Sequence, residues 1–389
     1  MEALIERYRA LLAQTPTTFV RYLHDLIAWD ARLVAVLGAR GVGKTTLLLQ
    51  HIKLHEPVDR TLYVSADDLY FSDHTLMELA TQFYRQGGTR LFIDEVHKYP
   101  DWSREIKNIY DQLPGLSLVY TGSSILDLEQ GGSDLSRRKL QYYMYGLSFR
   151  EYVSITQGLQ FPTATLSDIL AHRVELPAHL RPLPLFKAYL REGYYPFFRE
   201  PGYHMRLQAV VNQSLEVDIP RFAHMSVSTA AKLRRLLYVI ACSVPFKPNF
   251  SKLSTDIGIS RNDIRDVLVY LEKAGLISQL RDETGGVRLL AKVDKVYLDN
   301  TNLAYALSPT APDVGNLRET VFYALTKVVH EVTSSSVADF CIAPYTFEVG
   351  GRHKSQRQIA GTDNAFIVKD DIEYGAGNVL PLWTFGMMY

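Results

Sequence analysis

Eight consecutive residues near the N-terminus have the types and spacing to hold a phosphate. Gly38-Ala39-Arg40-Gly41-Val42-Gly43-Lys44-Thr45 fits the pattern G-x-x-x-x-G-K-[ST] in full. The glycines let the backbone curl so that successive N–H groups face one anion. A helix opening at Thr45, with Thr46 in its first turn, adds the partial positive charge of its N-terminus. In that chemistry Lys44 reaches the β- and γ-phosphates of a nucleoside triphosphate, and the Thr45 hydroxyl ligates Mg²⁺. A strand–turn–helix junction without a ligand is the bland alternative.

About fifty residues on, Arg90-Leu91-Phe92-Ile93-Asp94-Glu95 is an apolar run that ends in two acids. Asp94 is placed to hold Mg²⁺ through water, and Glu95 to orient and deprotonate an attacking water. The next apolar run ends in Thr121-Gly122-Ser123-Ser124. Thr121 and Ser123 are candidates for sensing the terminal phosphate. They are equally suited to capping a helix, for which Ser and Thr are the usual residues. Arg137 and Arg138 precede a further strand, Lys139–Tyr145. An arginine delivered to the terminal phosphate speeds its transfer, and a solvated basic pair is the alternative.

These residues need a sheet to position them, and the chain supplies one. Leu33–Leu37, Thr61–Ser65, Leu91–Ile93 and Leu116–Tyr120 are short apolar runs separated by helical stretches such as Leu76–Arg85 and Arg104–Leu113. That alternation predicts a parallel α/β sheet to about Tyr145, after an opening amphipathic helix carrying Leu4, Ile5, Tyr8, Leu11 and Leu12. The 389 residues suffice for two or three domains, with 47% hydrophobic and 22% charged residues. Lys+Arg and Asp+Glu both number 42, which argues against a global electrostatic hold on nucleic acid or membrane. With only Cys242 and Cys341, a disulfide framework is excluded. No apolar run reaches the ~20 residues of a membrane span. Glu2, Glu6, Arg7 and Arg9 interrupt any leader, so the expectation is a cytoplasmic protein with no membrane partner.

GARGVGKTTLL, LFIDEVHKYPDW, VYTGSS and the LSRR…YGLSFREY block resemble the prokaryotic AAA-type ATPases that carry a C-terminal domain of unknown function. In that family the C-terminal half is similar to a winged helix followed by a restriction-endonuclease-like fold. Arg191–Phe198, Asn316–Thr320 and Pro381-Leu382-Trp383 resemble that half. The resemblance implies ATP and Mg²⁺ as cofactors, ATP hydrolysis, and sites completed by an arginine from the next copy in a homo-oligomer.

After Pro245 and Pro248, Leu253–Ile277 reads as helix-turn-helix, with Ser260 as cap, Ile264, Val267, Leu268 and Leu271 as one apolar face, and Gly275 as stop. Leu276–Leu280 and Val287–Leu290 flank a turn-rich segment, as in a hairpin wing. Duplex DNA is a possible partner, with Arg261, Asn262 and Arg265 facing the groove. Ser226–Leu298 holds twelve Lys+Arg against seven Asp+Glu. However, Asp263 and Asp266 balance the recognition helix, and such modules also serve for packing.

In the last part the resemblance maps metal-holding carboxylates onto Glu319, Asp339 and Glu348. The lysine expected two residues past Glu348 is missing, since Gly350 stands there. Lys354, four residues further on, is a candidate substitute but sits past Gly350-Gly351, and the departure argues against nuclease activity. His24, His97 and the other histidines show no H-E-x-x-H spacing and are read as structural or exposed.

The expected division is 1–150 AAA-type P-loop α/β domain, 151–225 helical linker, 226–312 winged-helix module, and 313–389 degenerate α+β endonuclease-like domain.

Overall fold

The computed structural model describes residues 1–123, 135–223, 227–243, 245, 247–282, 292–308 and 311–389. They divide into two compact units, Met1–Tyr145 and Gly146–Tyr389.

The first unit opens with α1 (Glu2–Gln14) and a 3-10 turn, Tyr22–Leu26. Then β1 (Leu33–Gly38), α2 (Lys44–His55), β2 (Thr61–Ser65), α3 (Leu76–Arg85), β3 (Arg90–Asp94), α4 (Trp102–Gln112), β4 (Ser117–Gly122) and β5 (Leu140–Met144) follow. The five strands form one parallel sheet in the order β2-β3-β4-β1-β5. All six residues of β1 are buried, as an inner parallel strand requires, which explains its unbroken apolar run. The helices follow from their own signals. In α3, Thr75 and Glu78 form a capping box, and Leu76, Leu79, Ala80 and Phe83 share a buried face. In α4 the buried residues are Trp102, Ile106 and Ile109. Because β4 lies between β1 and β3, the strand carrying Thr121 separates the strand that feeds the loop from the strand that ends in Asp94. Sequence order alone does not reveal that adjacency.

The second unit begins with helices α5 (Phe149–Gln157), α6 (Leu166–Leu170), α7 (Pro182–Glu192), α8 (Tyr203–Gln213), α9 (Ile219–Ala223) and α10 (Val227–Ser243). A π-helical turn, Ser214–Asp218, joins α8 to α9. Next come α11 (Phe250–Ile257), α12 (Arg261–Lys273) and the antiparallel pair β6 (Ile277–Arg281) and β7 (Val293–Leu298). The strand that pairs with β6 lies later than the expected Val287–Leu290, a segment outside the described residues.

After α13 (Thr301–Leu307) and α14 (Val314–Thr326), strands β8 (Thr333–Ser334), β9 (Phe340–Ile342), β10 (Tyr345–Gly350), β11 (Ala365–Lys369) and β12 (Val379–Pro381) make a mixed sheet in the order β12-β11-β10-β9-β8. The apolar end, Leu382–Tyr389, is buried throughout, and the Tyr389 carbonyl accepts from Ser148 Oγ and from Arg150 Nε (2.9 Å). That end is core of this unit.

Candidate functional site

The chain leaves β1 at Gly38 and re-enters helix at Lys44. Gly41 (φ +83°) and Gly43 (φ +101°) hold left-handed backbone between them, which glycine adopts without the Cβ penalty. Gly38 is needed for a different reason. A Cβ there would lie 2.4 Å from the Met144 carbonyl oxygen on the neighbouring strand. Lys44 is buried at the N-terminus of α2, and its Nζ donates to the Gly38 and Ala39 carbonyls at 3.0 Å each. The ammonium therefore sits over the loop rather than in solvent. Val42 is buried, Ala39 and Arg40 are partly covered, and Thr45 and Thr46 are exposed on the first turn. One residue missed in the sequence braces the loop. Arg21, itself buried, donates to the Val42 carbonyl (2.7 Å) and to the Tyr145 carbonyl (2.9 Å). No periodicity or motif marks it.

Asp94 closes β3 and is buried. Three hydroxyls donate to its carboxylate: Thr45 to Oδ2 at 2.6 Å, Tyr63 to Oδ2 at 2.8 Å, and Thr121 to Oδ1. Thr121 is thus a partner of Asp94 and not a helix cap, because β4 runs beside β3. Tyr63 is a second residue the sequence did not single out. Burial, and then the negative charge of Asp94, push its phenol far above the ordinary tyrosine range. It therefore acts only as a donor.

Glu95 adopts left-handed backbone (φ +53°, ψ +43°), which costs a non-glycine residue about 1–2 kcal/mol. Its N–H is held by Thr121 Oγ1 (3.0 Å) and Asp94 Oδ1 (3.2 Å). That turn brings Glu95 Oε1 to 4.0 Å from Lys44 Nζ, while Oε2 lies 3.4 Å from His97 Nε2. His97, read from sequence as structural or exposed, borders the candidate base. Ser123 follows β4 directly, and Ser124 lies outside the described residues. Of the two arginines, Arg138 chelates Asp111 (Nε to Oδ1 3.1 Å, an amino group to Oδ2 3.2 Å), while Arg137 is exposed.

This arrangement joins a phosphate-sized loop, a cation, a hydroxyl next to a carboxylate, and a second carboxylate beside the cation. Residues 30–153 match the family model of an AAA domain. The first unit thus has an AAA-type P-loop fold, with its five-stranded parallel sheet beneath the loop. Residues 184–313 match a domain of unknown function. An uncharacterized protein of Methanocaldococcus jannaschii is 27% identical over 90% of this chain and 82% of its own length. Among solved structures, the Aeropyrum pernix Orc1 protein in complex with DNA aligns with a TM-score of 0.31 at 15% identity, covering 79% of this chain and 91% of that one. The Saccharomyces cerevisiae Hsp104–ADP complex aligns with a TM-score of 0.31 at 16% identity, covering 69% and 39%.

Elsewhere, α11 and α12 pack together ahead of the β6–β7 pair, with Ile264, Val267, Leu268 and Leu271 on the buried face as expected. The side chains of Arg261 and Asn262 lie outside the described residues. Asp263, Arg265 and Asp266 are exposed.

In the C-terminal sheet, two of the three mapped carboxylates share one lysine. Lys295 Nζ bonds Glu319 Oε2 (3.1 Å) and Asp339 Oδ1 (3.4 Å), and Tyr297 donates to Glu319 (2.7 Å). Glu348 on β10 pairs through Oε1 with Lys354. Lys354 reaches back because Gly350 leaves room: a Cβ there would lie 2.6 Å from the lysine Cγ. The glycines that seemed to separate the two residues bring them together.

No helix among the described residues is long and apolar enough to cross a membrane.

Proposed function

We propose that residues 1–145 bind Mg·ATP in the Gly38–Thr45 loop and hydrolyse it, and that nucleotide state is read out by a winged-helix module and a C-terminal interaction domain in the second unit. The observation that carries this reading is the placement of Glu95 within 4.0 Å of Lys44, beside an Asp94 that already accepts from Thr45. Lys44 and the loop N–H groups, with Arg40 and Thr46 flanking them, would hold the β- and γ-phosphates. Thr45 and Asp94 fit Mg²⁺, since a hydroxyl and a carboxylate oxygen 2.6 Å apart are hard donors on one side of the loop. When bound, that ion would neutralise charge on the phosphates. Glu95 takes a proton from water, and its strained backbone fixes the direction of attack. Thr121 holds the two acids in register, and Ser123 at the strand exit is the remaining candidate for sensing the terminal phosphate.

Arg137 is the better-placed arginine finger, since Arg138 is committed to Asp111. We infer that it acts on the site of a second copy, with gains that reach ~10³-fold where such a finger is engaged. Mixing inactive Lys44→Ala and Arg137→Ala proteins should then restore part of the activity, and no rescue would place a complete site within one chain. Duplex DNA is a weaker candidate partner, because the acids Asp263 and Asp266 flank Arg265 on the exposed part of α12. Turnover unchanged by duplex DNA is therefore expected. The deciding experiment is calorimetry. Folded Lys44→Ala protein should bind ATP far more weakly than the parent, and equal affinity would refute the site.

A further inference from the structure

Three histidines that the linear sequence does not group meet at the far end of α2. His51 and His55 are one turn apart on that helix, and His24 comes from the 3-10 turn Tyr22–Leu26. One ligand atom from each lies within 4.8 Å of the others. His24 and His51 are buried and His55 is exposed.

The hydrogen bonds dictate which nitrogens carry protons. His51 Nε2 lies 3.0 Å from Glu56 Oε1, and His24 Nδ1 lies 3.0 Å from Asp25 Oδ1. An ionised carboxylate can only accept, so each of those nitrogens carries the hydrogen. The other two, His24 Nε2 and His51 Nδ1, then face each other as lone pairs 3.2 Å apart. Two lone pairs at that distance repel unless a cation lies between them. A proton is one solution, but it must charge an imidazole. A metal ion is the other solution. In a tetrahedral zinc site with Zn–N of about 2.0–2.1 Å, neighbouring nitrogens stand ~3.3–3.4 Å apart, close to the spacing found here.

We propose that His24 Nε2, His51 Nδ1 and His55 form a binding site for a zinc-type divalent ion, with the fourth position left to water. The surroundings suit one. Arg90 pairs with Glu56, so an Arg90–Glu56–His51 chain fixes the ring and its tautomer from behind. Trp29 stacks on His51 (3.8 Å between centroids, 9° between planes), and its indole N–H donates to the His24 carbonyl (2.9 Å). His55, on the exposed side, provides the way in. The ion would tie the C-terminal turn of α2 to the segment that carries Arg21, and thus brace the loop from the end opposite Lys44.

The test uses the untagged full-length chain, stripped with chelator and titrated with Zn²⁺ against a chromophoric competitor. One equivalent should bind, and Co²⁺ in its place should give the visible absorption of a tetrahedral nitrogen site. His55→Ala, at an exposed position where folding is not at risk, should weaken Zn²⁺ binding at least ~10-fold, the smallest loss expected even for groups behind the ligands. His24→Gln should do the same. Tryptophan emission should change with Zn²⁺ in the parent and not in Trp29→Phe. Failure to bind Zn²⁺ would overturn the proposal, as would parental affinity in both histidine variants. ATP affinity of the loop is measured alongside and should not decide the matter.

Discussion

Asp94 and Glu348 are both buried carboxylates on inner strands of five-stranded sheets, one in each unit. Hydroxyls surround Asp94, so its negative charge is oriented but not cancelled, and the nearby ammonium, Lys44, is spread over the loop carbonyls. Glu348 instead has Lys354 directly on Oε1, and its neighbours Glu319 and Asp339 share Lys295. At the proposed metal position a divalent ion would approach a carboxylate held by hydroxyls. At the C-terminal cluster two lysines already hold the places such an ion would take. Similar residue types thus give a carboxylate held by hydroxyls in one unit and carboxylates paired with lysines in the other.

The largest effect should come from Glu95→Gln. It keeps the shape but removes the proposed base, so kcat should fall ~10²–10⁴-fold while ATP still binds. Single-turnover hydrolysis at the parental rate would show that the first site does not work as its geometry indicates.

A smaller effect sharpens the other side of the comparison. Burial, the largest influence, together with the charges of Asp339 and Glu319, raises the Glu348 pKa against the pull of Lys354. A carboxyl whose folded pKa is raised contributes stability that is full below its unfolded pKa and lost as pH climbs through the folded value. Glu348→Gln should therefore melt at or above the parent temperature at pH 8 and lose that advantage toward pH 4. The shift is a few degrees at most, since about 1 kcal/mol moves Tm by ~2–4 °C in a unit of this size. A large loss of stability at pH 8 would mean that the Lys354 pair holds the sheet together.

Tyr63→Phe is the mildest change. It removes one of three hydroxyls on Asp94 and should cost about 1 kcal/mol by thermal melting, with turnover reduced only a few-fold. A loss as great as that of Glu95→Gln would give Tyr63 a direct part in the reaction.

What was legible in the sequence depended on how far apart the partners stand in the chain. Gly38–Thr45 is a local pattern that acts through its own backbone, so its residues could be read directly. Asp94 and Glu95 were legible because a strand end forces them to one edge of the sheet. Arg21, Tyr63 and Lys295 were not, since each works on a partner 21 or more residues away across a fold that must form first. The histidines show both cases. His51 and His55 share a helix face at a visible spacing, but His24 joins them only through tertiary packing. Lys354 was legible as a candidate partner of Glu348, but the glycines between them weighed against it. They are in fact the residues small enough to let the lysine fold back.

The contact of Arg21 with Val42 and Tyr145 bears on where the working module begins. The matched family segment starts at residue 30, yet a fragment cut there would keep every residue of the phosphate motif and lose the strut that fixes it. Such a piece would carry the signature of the machine without its frame, so the smallest portable unit of this chemistry must include the residues ahead of the recognisable ones.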